Sequence, residues 1–353
     1  MKVLVIQIKM IGDVLASTVI CELIKNNYPN AEVHYIIQKN TFAVVENNPF
    51  IDKVILFESN KHKGLLKLYR FGKELKKENY DVVIDAYGKW DSILPAYFSN
   101  ARTRVGQYKF YTHFFYTQNV YSDSEPHDSA NAYRHMLFKT AFKIETEIIY
   151  PKIHLTKQEI HIAKKEIHQN LDDSKPIFMI SILGSSINKS LPPKNMAETL
   201  DVVANTKDVQ LVFNYIPNQF EDVKAIYDLC LPATQAKINI SFYAKSLRSF
   251  IAILSQCDCL IGNEGGATNI SKALSIPTFT IFSPCIRRKS WDSREDDINY
   301  FYVHLIDYYP EIYKDKHPKI LRKKIAELYA LLLVKLYKDK LLKFIDNLKS
   351  KPN

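Results

Sequence analysis

The chain reads as an α/β protein built from two doubly wound, mostly parallel sheets. Three observations predict this. Short β-branched runs alternate with runs whose apolar residues recur at helical spacing, which implies parallel strands joined by right-handed crossovers. The alternation stops and restarts near Tyr150-Pro151. And 353 residues exceed what one ordinary core accommodates while sufficing for two.

In the first half, Lys2–Ile8, Glu32–Ile37, Lys53–Phe57 and Asp81–Asp85 read as strands, and Val14–Asn27 and Leu65–Glu78 as helices. The opening Met1-Lys2-Val3-Leu4-Val5-Ile6 has the look of a signal peptide. Gln7, Lys9 and Asp13 interrupt it and no small-residue cleavage site follows, so it reads as a buried first strand. Arg104–Tyr121 is aromatic and irregular and fits either an extra strand or a substrate loop. Asn131–Phe142 is helical. After the reset, Thr156–Leu171 is a charged helix. Strands Ile177–Ile182, Val209–Phe213, Ile238–Ser241, Cys259–Gly262 and Pro277–Phe282 then alternate with helices Pro193–Asn205, Gln219–Cys230, Leu247–Gln256 and Gly266–Leu274. The pattern gives Rossmann-like domains over residues 1–155 and 156–317, facing each other across a central cleft, with ligands at the carboxyl ends of the strands.

Residues 318–353 form a basic tail. Within it Leu321–Leu348 reads as a helix whose apolar stripe is Ile325, Leu328, Leu331, Leu332, Leu336, Leu342 and Ile345. Packing across the two domains, with lysine stems covering apolar surface, accounts for this pattern. So does peripheral contact with anionic membrane.

Composition excludes some classes. No run of eighteen apolar residues occurs, so no transmembrane helix is expected. The net charge of +10 suits an anionic partner or a solvated lysine-rich surface. No nucleic-acid recognition motif is visible, and nucleic acid is not the expected partner. Five scattered cysteines give no disulfide framework, and Cys257 and Cys259 are too close together for a metal knuckle. A reducing, cytoplasmic setting is the simplest expectation.

Three constellations could carry chemistry. Gly262-Asn263-Glu264-Gly265-Gly266-Ala267-Thr268-Asn269 follows a strand and opens a helix. Gly265 and Gly266 let a diphosphate approach the backbone amides at the helix start, and Glu264 can accept hydrogen bonds from ribose or sugar hydroxyls. A plain tight turn capped by Asn263 or Thr268 is the structural alternative. Gly184-Ser185-Ser186-Ile187-Asn188-Lys189 also follows a strand, and its hydroxyls and lysine suit an anion; an ordinary polar loop would look the same. Lys9-Met10-Ile11-Gly12-Asp13 follows the first strand. Asp13 reads as a helix N-cap, as a general base, or as both.

In sequence order these pieces resemble glycosyltransferase family 9, the lipopolysaccharide heptosyltransferases, nearly end to end. The first strand with Gly12-Asp13-Val14 is similar to the family's amino-terminal signature. Tyr80-Asp81-Val82-Val83-Ile84-Asp85 with Gly88, then Arg104-Val105-Gly106, is similar to its middle. Gly184-Ser185 with Lys189 and Pro192, then Gly262–Leu274 followed by Pro277, is similar to its donor domain.

The resemblance implies a GT-B fold, with an acceptor-side amino-terminal domain and a carboxyl-terminal domain that binds a nucleoside-diphosphate heptose, usually ADP-linked. It implies that Asp13 is the base, that Ser185 and Lys189 contact the diphosphate, and that Leu247 lines the adenine pocket. Gln219 stands where a ribose-binding glutamate is frequent, Glu264-Gly265-Gly266 replaces Asp-Thr/Ser-Gly, and Asn269 replaces a usual histidine. Asparagine can donate a hydrogen bond but cannot become cationic, which weakens its hold on a diphosphate.

The expected reaction is inverting transfer from a nucleotide-sugar donor to an anionic glycolipid or glycan of the lipopolysaccharide core. No cofactor or metal is expected: no Asp-x-Asp triplet occurs, and Lys189 with the amides near Gly266 would offset the diphosphate charge. Two alternatives stand beside it. A hydrolysing epimerase would need further acid and base groups, for which His127, Asp128 and His135 are the clustered candidates; the plain account of these is a polar helix face. A catalytically silent sugar-nucleotide or glycan-binding protein is the other.

Overall fold

The computed structural model describes residues 1–121, 130–172, 174–286, 298–314 and 318–348. The chain divides into two compact units, the first spanning Met1–His154 and the second beginning at Leu155.

Unit 1 opens with β1 (Lys2–Gln7), α1 (Ile11–Asn27), β2 (Glu32–Gln38), β3 (Lys53–Phe57), the short α2 (Ser59–His62) and α3 (Leu65–Lys76). It continues with β4 (Val82–Asp85), α4 (Trp90–Phe98), β5 (Thr103–Gln107), β6 (Gln118–Val120) and α5 (Ala130–Phe142). Its six strands are parallel in the order β3-β2-β1-β4-β5-β6. Val3 to Gln7 of β1 are all buried, because a central parallel strand is covered on both faces. The same cause buries α1 from Asp13 to Ile24. The chain reverses its winding between β1 and β4, where Ile6 pairs with Asp85.

Unit 2 contains α6 (Lys157–Asn170), β7 (Ile177–Ser181), α7 (Pro193–Thr206), β8 (Gln210–Phe213), α8 (Phe220–Leu229) and the short α9 (Pro232–Gln235). Then come α10 (Leu247–Leu254), β9 (Cys259–Asn263), α11 (Gly266–Ala273), β10 (Thr278–Ile281), β11 (Tyr300–Val303), α12 (Pro318–Lys323), α13 (Ile325–Leu331) and α14 (Val334–Asn347). The strands are parallel in the order β11-β10-β9-β7-β8. Here the winding reverses between β7 and β9, where Ser181 pairs with Gly262.

Several expectations need correction. Ile238–Ser241 is not a strand: Ile238 makes one bridge to Leu211, after which the Asn239 side chain accepts the Ser241 N–H at 3.2 Å and turns the chain. Arg104–Tyr121 holds both a strand and a loop, with the 3₁₀ turn His113–Phe115 between β5 and β6. The tail is not one helix. It breaks at Lys324 and again at Leu332, whose φ −84° and ψ 68° are not helical. Its buried stripe is Leu328, Leu332, Tyr337, Leu341, Phe344 and Ile345, within the core of unit 2. Tyr337 and Thr199 of α7 share a hydrogen bond of 2.8 Å, and Phe344 packs on Phe279 of β10 with ring centres 5.7 Å apart. Of the expected stripe, Leu328, Leu332 and Ile345 are buried, Ile325, Leu336 and Leu342 are half-buried and Leu331 is exposed, so most of this apolar face is taken up by packing within unit 2.

Candidate active site

In an open parallel sheet, ligands gather at the carboxyl ends of the strands where the winding reverses. Each unit has one such point.

In unit 1 it lies between β1 and β4. Asp13 occupies the first turn of α1 and is 8% exposed. It is not the helix cap; that position is Met10, and no side chain caps the helix. The Asp13 carboxylate instead accepts from Lys9 Nζ at 3.1 Å and from Arg134 Nη2 of α5 at 3.3 Å. Arg134 is 5% exposed and also donates to Ser17 Oγ at 3.2 Å and to the Ala130 carbonyl at 2.9 Å. The guanidinium ties α5 to α1 and fixes the carboxylate.

Beside it, β4 ends on Asp85, which is fully buried. Oδ1 accepts the Tyr87 and Gly88 N–H groups at 2.9 Å each; Oδ2 accepts the Ser92 hydroxyl at 2.8 Å and the Tyr116 hydroxyl at 2.6 Å. Burial pushes the Asp85 carboxyl above the ordinary carboxylate range, against the pull of these donors. Gln7 closes the gap between the strands by donating to the Ala86 carbonyl at 2.9 Å.

In unit 2 the reversal lies between β7 and β9, and it brings together the Gly184–Lys189 loop and the Glu264–Asn269 turn. Asn263, a cap in the plain-turn alternative, is a staple. Its amide donates to the carbonyls of Ser181 and Ile182 at 3.0 and 2.9 Å, and its carbonyl accepts the Leu191 N–H at 2.7 Å. Two glycines permit the close approach. At Gly262, with φ +130°, a Cβ would stand 2.5 Å from the Ser181 carbonyl oxygen; at Gly184 it would stand 2.1 Å from that of Lys189. The loop is held further by Ser190, whose hydroxyl accepts the Gly184 N–H at 2.9 Å, and by Ser283, which donates to the Asn188 carbonyl at 2.9 Å. Ser185 stays exposed on it.

Glu264 is 8% exposed and Lys189 Nζ stands 3.5 Å from its Oε1. That oxygen has no hydrogen bond, and neither has the buried hydroxyl of Thr268, the other expected cap. Burial raises the Glu264 carboxyl above its ordinary range, and Lys189 opposes the shift. Gly265 precedes α11 and Gly266 begins it; the space where a Cβ at Gly265 would lie is open to 4 Å. The first-turn amides of α11 supply unpaired donors there. The Asn269 side-chain amide donates to the Gly265 carbonyl at 3.2 Å.

Gln219 lies past the carboxyl end of β8, with its side-chain carbonyl accepting the Ile216 N–H at 3.1 Å. Leu247 begins α10 and is half-buried. Tyr215 and Tyr243, which the sequence did not single out, pack together near these positions with ring centres 5.0 Å apart, and the Tyr215 hydroxyl donates to the Ile240 carbonyl at 2.6 Å.

Among the alternatives, His135 is buried, not part of a polar helix face. Its ring nitrogens meet Thr146 Oγ1 at 3.1 Å and the Ile149 backbone at 3.2 Å, and burial lowers its pKa. His127 and Asp128 lie outside the described residues. Among the described residues no three His, Cys, Asp or Glu side chains are grouped to hold a metal ion, no helix is long and apolar enough to cross a membrane, and all five cysteines are buried and outside any disulfide.

Residues 68–296 match the model of glycosyltransferase family 9 (heptosyltransferase). The lipopolysaccharide heptosyltransferase 1 of Campylobacter coli is 25% identical over 295 residues, which span 80% of this chain and 84% of that one. A glycosyltransferase family 9 structure from Veillonella parvula superposes with a TM-score of 0.80 at 17% identity, covering 98% of this chain and 96% of that chain. The ADP-heptose lipopolysaccharide heptosyltransferase II of E. coli superposes with a TM-score of 0.70 at 16% identity, covering 94% and 99%.

Proposed function

The chain belongs to glycosyltransferase family 9, and from that premise we propose that it transfers a heptose from an ADP-linked donor to a lipopolysaccharide-core or related glycan acceptor, inverting the anomeric carbon. The relatives named as lipopolysaccharide heptosyltransferases support the sugar and the acceptor class. One observation in the fold carries the donor assignment. At the β7–β9 reversal a buried glutamate keeps an unbonded oxygen beside a lysine and the open start of a helix. A sugar or ribose hydroxyl satisfies the first, and a diphosphate satisfies the other two.

In this mechanism the acceptor hydroxyl attacks the anomeric carbon as the bond to the diphosphate oxygen breaks. Asp13 takes the hydroxyl proton, and Arg134 and Lys9 keep its carboxylate oriented. Lys189 and the α11 amides receive the charge that collects on the leaving diphosphate, the task a metal ion performs elsewhere. Ser185 donates to the same group. Gln219 and Leu247 take the nucleoside, with Gln219 released from Ile216 to meet the ribose. We place the reaction in the cytoplasm, a reducing setting that five buried cysteines outside any disulfide fit.

The test is incubation with ADP-heptose and a heptose-deficient core oligosaccharide, followed by mass and proton NMR spectra of the product. We expect one added heptose, with anomeric configuration opposite to the donor's, and one ADP released per transfer. Free isomerised sugar without acceptor modification would instead identify an epimerase. Donor binding with neither product would identify a silent binding protein.

A further inference from the structure

Residues 87–121 of unit 1 contain eleven aromatic side chains among thirty-five residues, against 12% for the whole chain. Trp90, Tyr97, Tyr108, Phe114 and Phe115, with His113, form a connected belt. Trp90 and Tyr97 of α4 both meet Phe115 edge-on, at 5.7 and 5.2 Å between ring centres. Phe114 joins Phe115 at 4.5 Å, His113 joins Phe114 at 5.8 Å, and Tyr108 stacks on His113 at 5.3 Å. In the belt Phe114 is 62% exposed and Trp90 49%, and the turn that leads into His113 adds Phe110 at 85% and Tyr111 at 60%. Single exposed apolar residues are ordinary on a protein surface, but a contiguous aromatic patch marks a surface that meets something else.

The charge around the belt indicates what it meets. The same residues carry Lys89, Arg102, Arg104 and Lys109 against the single acid Asp91. None of these four cations forms an ion pair among the described residues. Arg104 lies over the Tyr97 ring and donates to the Phe115 and Ala101 carbonyls, while Lys109 donates to the Gly88 carbonyl, so the cations are built into the belt without being neutralised. Tryptophan and tyrosine prefer the headgroup level of a bilayer, phenylalanine reaches below it, and unneutralised lysine and arginine gain from an anionic surface.

We propose that this belt docks unit 1 on an anionic lipid surface, with Phe110 and Phe114 inserted and Lys89 and Lys109 at the headgroups. The proposal depends on no step of the transfer reaction. It places membrane contact on unit 1 and not on the lysine-rich tail, most of whose apolar stripe packs within unit 2.

The experiment is flotation of the full chain with vesicles of phosphatidylcholine alone and of phosphatidylcholine mixed with phosphatidylglycerol, at low and high salt, with calorimetric titration of ADP as a control for the fold. The parent is expected to float with the anionic vesicles only, and less at high salt. The double variant Phe110→Ser/Phe114→Ser is expected to lose at least about tenfold in partitioning, since each ring removes a buried apolar group, while binding ADP as the parent does. Lys89→Glu with Lys109→Glu is expected to abolish the preference for anionic vesicles. A parent that ignores anionic vesicles overturns the proposal, as does a double variant that floats equally well. Binding of a soluble core oligosaccharide that Phe110→Ser abolishes, without flotation of the parent, overturns it in favour of sugar stacking.

Discussion

The two winding reversals treat their buried carboxylates differently. In unit 1, Asp13 is engaged by Arg134 and Lys9, and Asp85 accepts four hydrogen bonds. In unit 2, Glu264 is as buried as Asp13, yet among the described residues the one partner of its Oε1 is Lys189 in a loose ion pair at 3.5 Å. A carboxylate with fixed partners is oriented before substrate arrives, which suits a group that must meet one proton at one place. A carboxylate buried with spare acceptor capacity carries a penalty that a ligand hydroxyl removes. In the proposed mechanism this contrast assigns the action to unit 1 and the holding to unit 2.

The largest expected effect breaks the first half of that contrast. Asp13→Asn keeps the shape at the Arg134 contact but cannot take a proton, and turnover at saturating donor should fall by about a hundred- to ten-thousand-fold. Since Asp13 caps no helix, any loss of melting temperature comes from leaving the buried Arg134 facing a neutral amide. Unchanged turnover per folded molecule would remove Asp13 from the mechanism.

Lys189→Ala addresses the second half. The charged contact it removes is worth about 1.5–3 kcal/mol, so ADP should bind roughly ten- to one-hundred-and-fifty-fold more weakly by calorimetry. Turnover at saturating donor should fall less steeply than in the Asp13 variant.

Glu264→Gln sharpens the contrast through stability. The folded-state pKa of Glu264 is raised, so its ionised form disfavours the folded protein at neutral pH, and that penalty is lost as pH falls through the raised value toward the ordinary one. The variant should therefore melt higher than the parent at pH 7, by about 2–4 °C for each kcal/mol recovered, with the advantage shrinking in acid. Scanning calorimetry across pH checks this; an advantage that grows in acid contradicts it. The smallest effect belongs to Asn269. Its amide is occupied by the Gly265 carbonyl, so Asn269→Ala should change the ADP dissociation constant by no more than about twofold, the range of substitutions away from special contacts.

Much of this was legible before the fold was known, for identifiable reasons. β1 is buried on both faces, so Val3-Leu4-Val5-Ile6 reads as a continuous apolar run. Asp13 follows it closely enough to be placed at the strand's end. Arg134 was not legible, because it reaches Asp13 across 121 residues and meets it only through the packing of α5 on α1. Asn263 reads as a cap in one dimension and becomes a staple once Gly262 lets β9 lie against Ser181. Helix α4 carries Pro95 and a cluster of aromatics, which hid its periodicity. The tail's apolar content was visible, but its breaks at Lys324 and Leu332 follow from docking on unit 2.

The division of labour between a unit that acts and a unit that holds is tested most directly by titrating ADP calorimetrically into the parent, Asp13→Asn and Lys189→Ala proteins under one set of conditions. The account predicts that Asp13→Asn binds ADP as the parent does while Lys189→Ala loses at least about a factor of ten. Equal loss in both variants, or loss in Asp13→Asn alone, would contradict it.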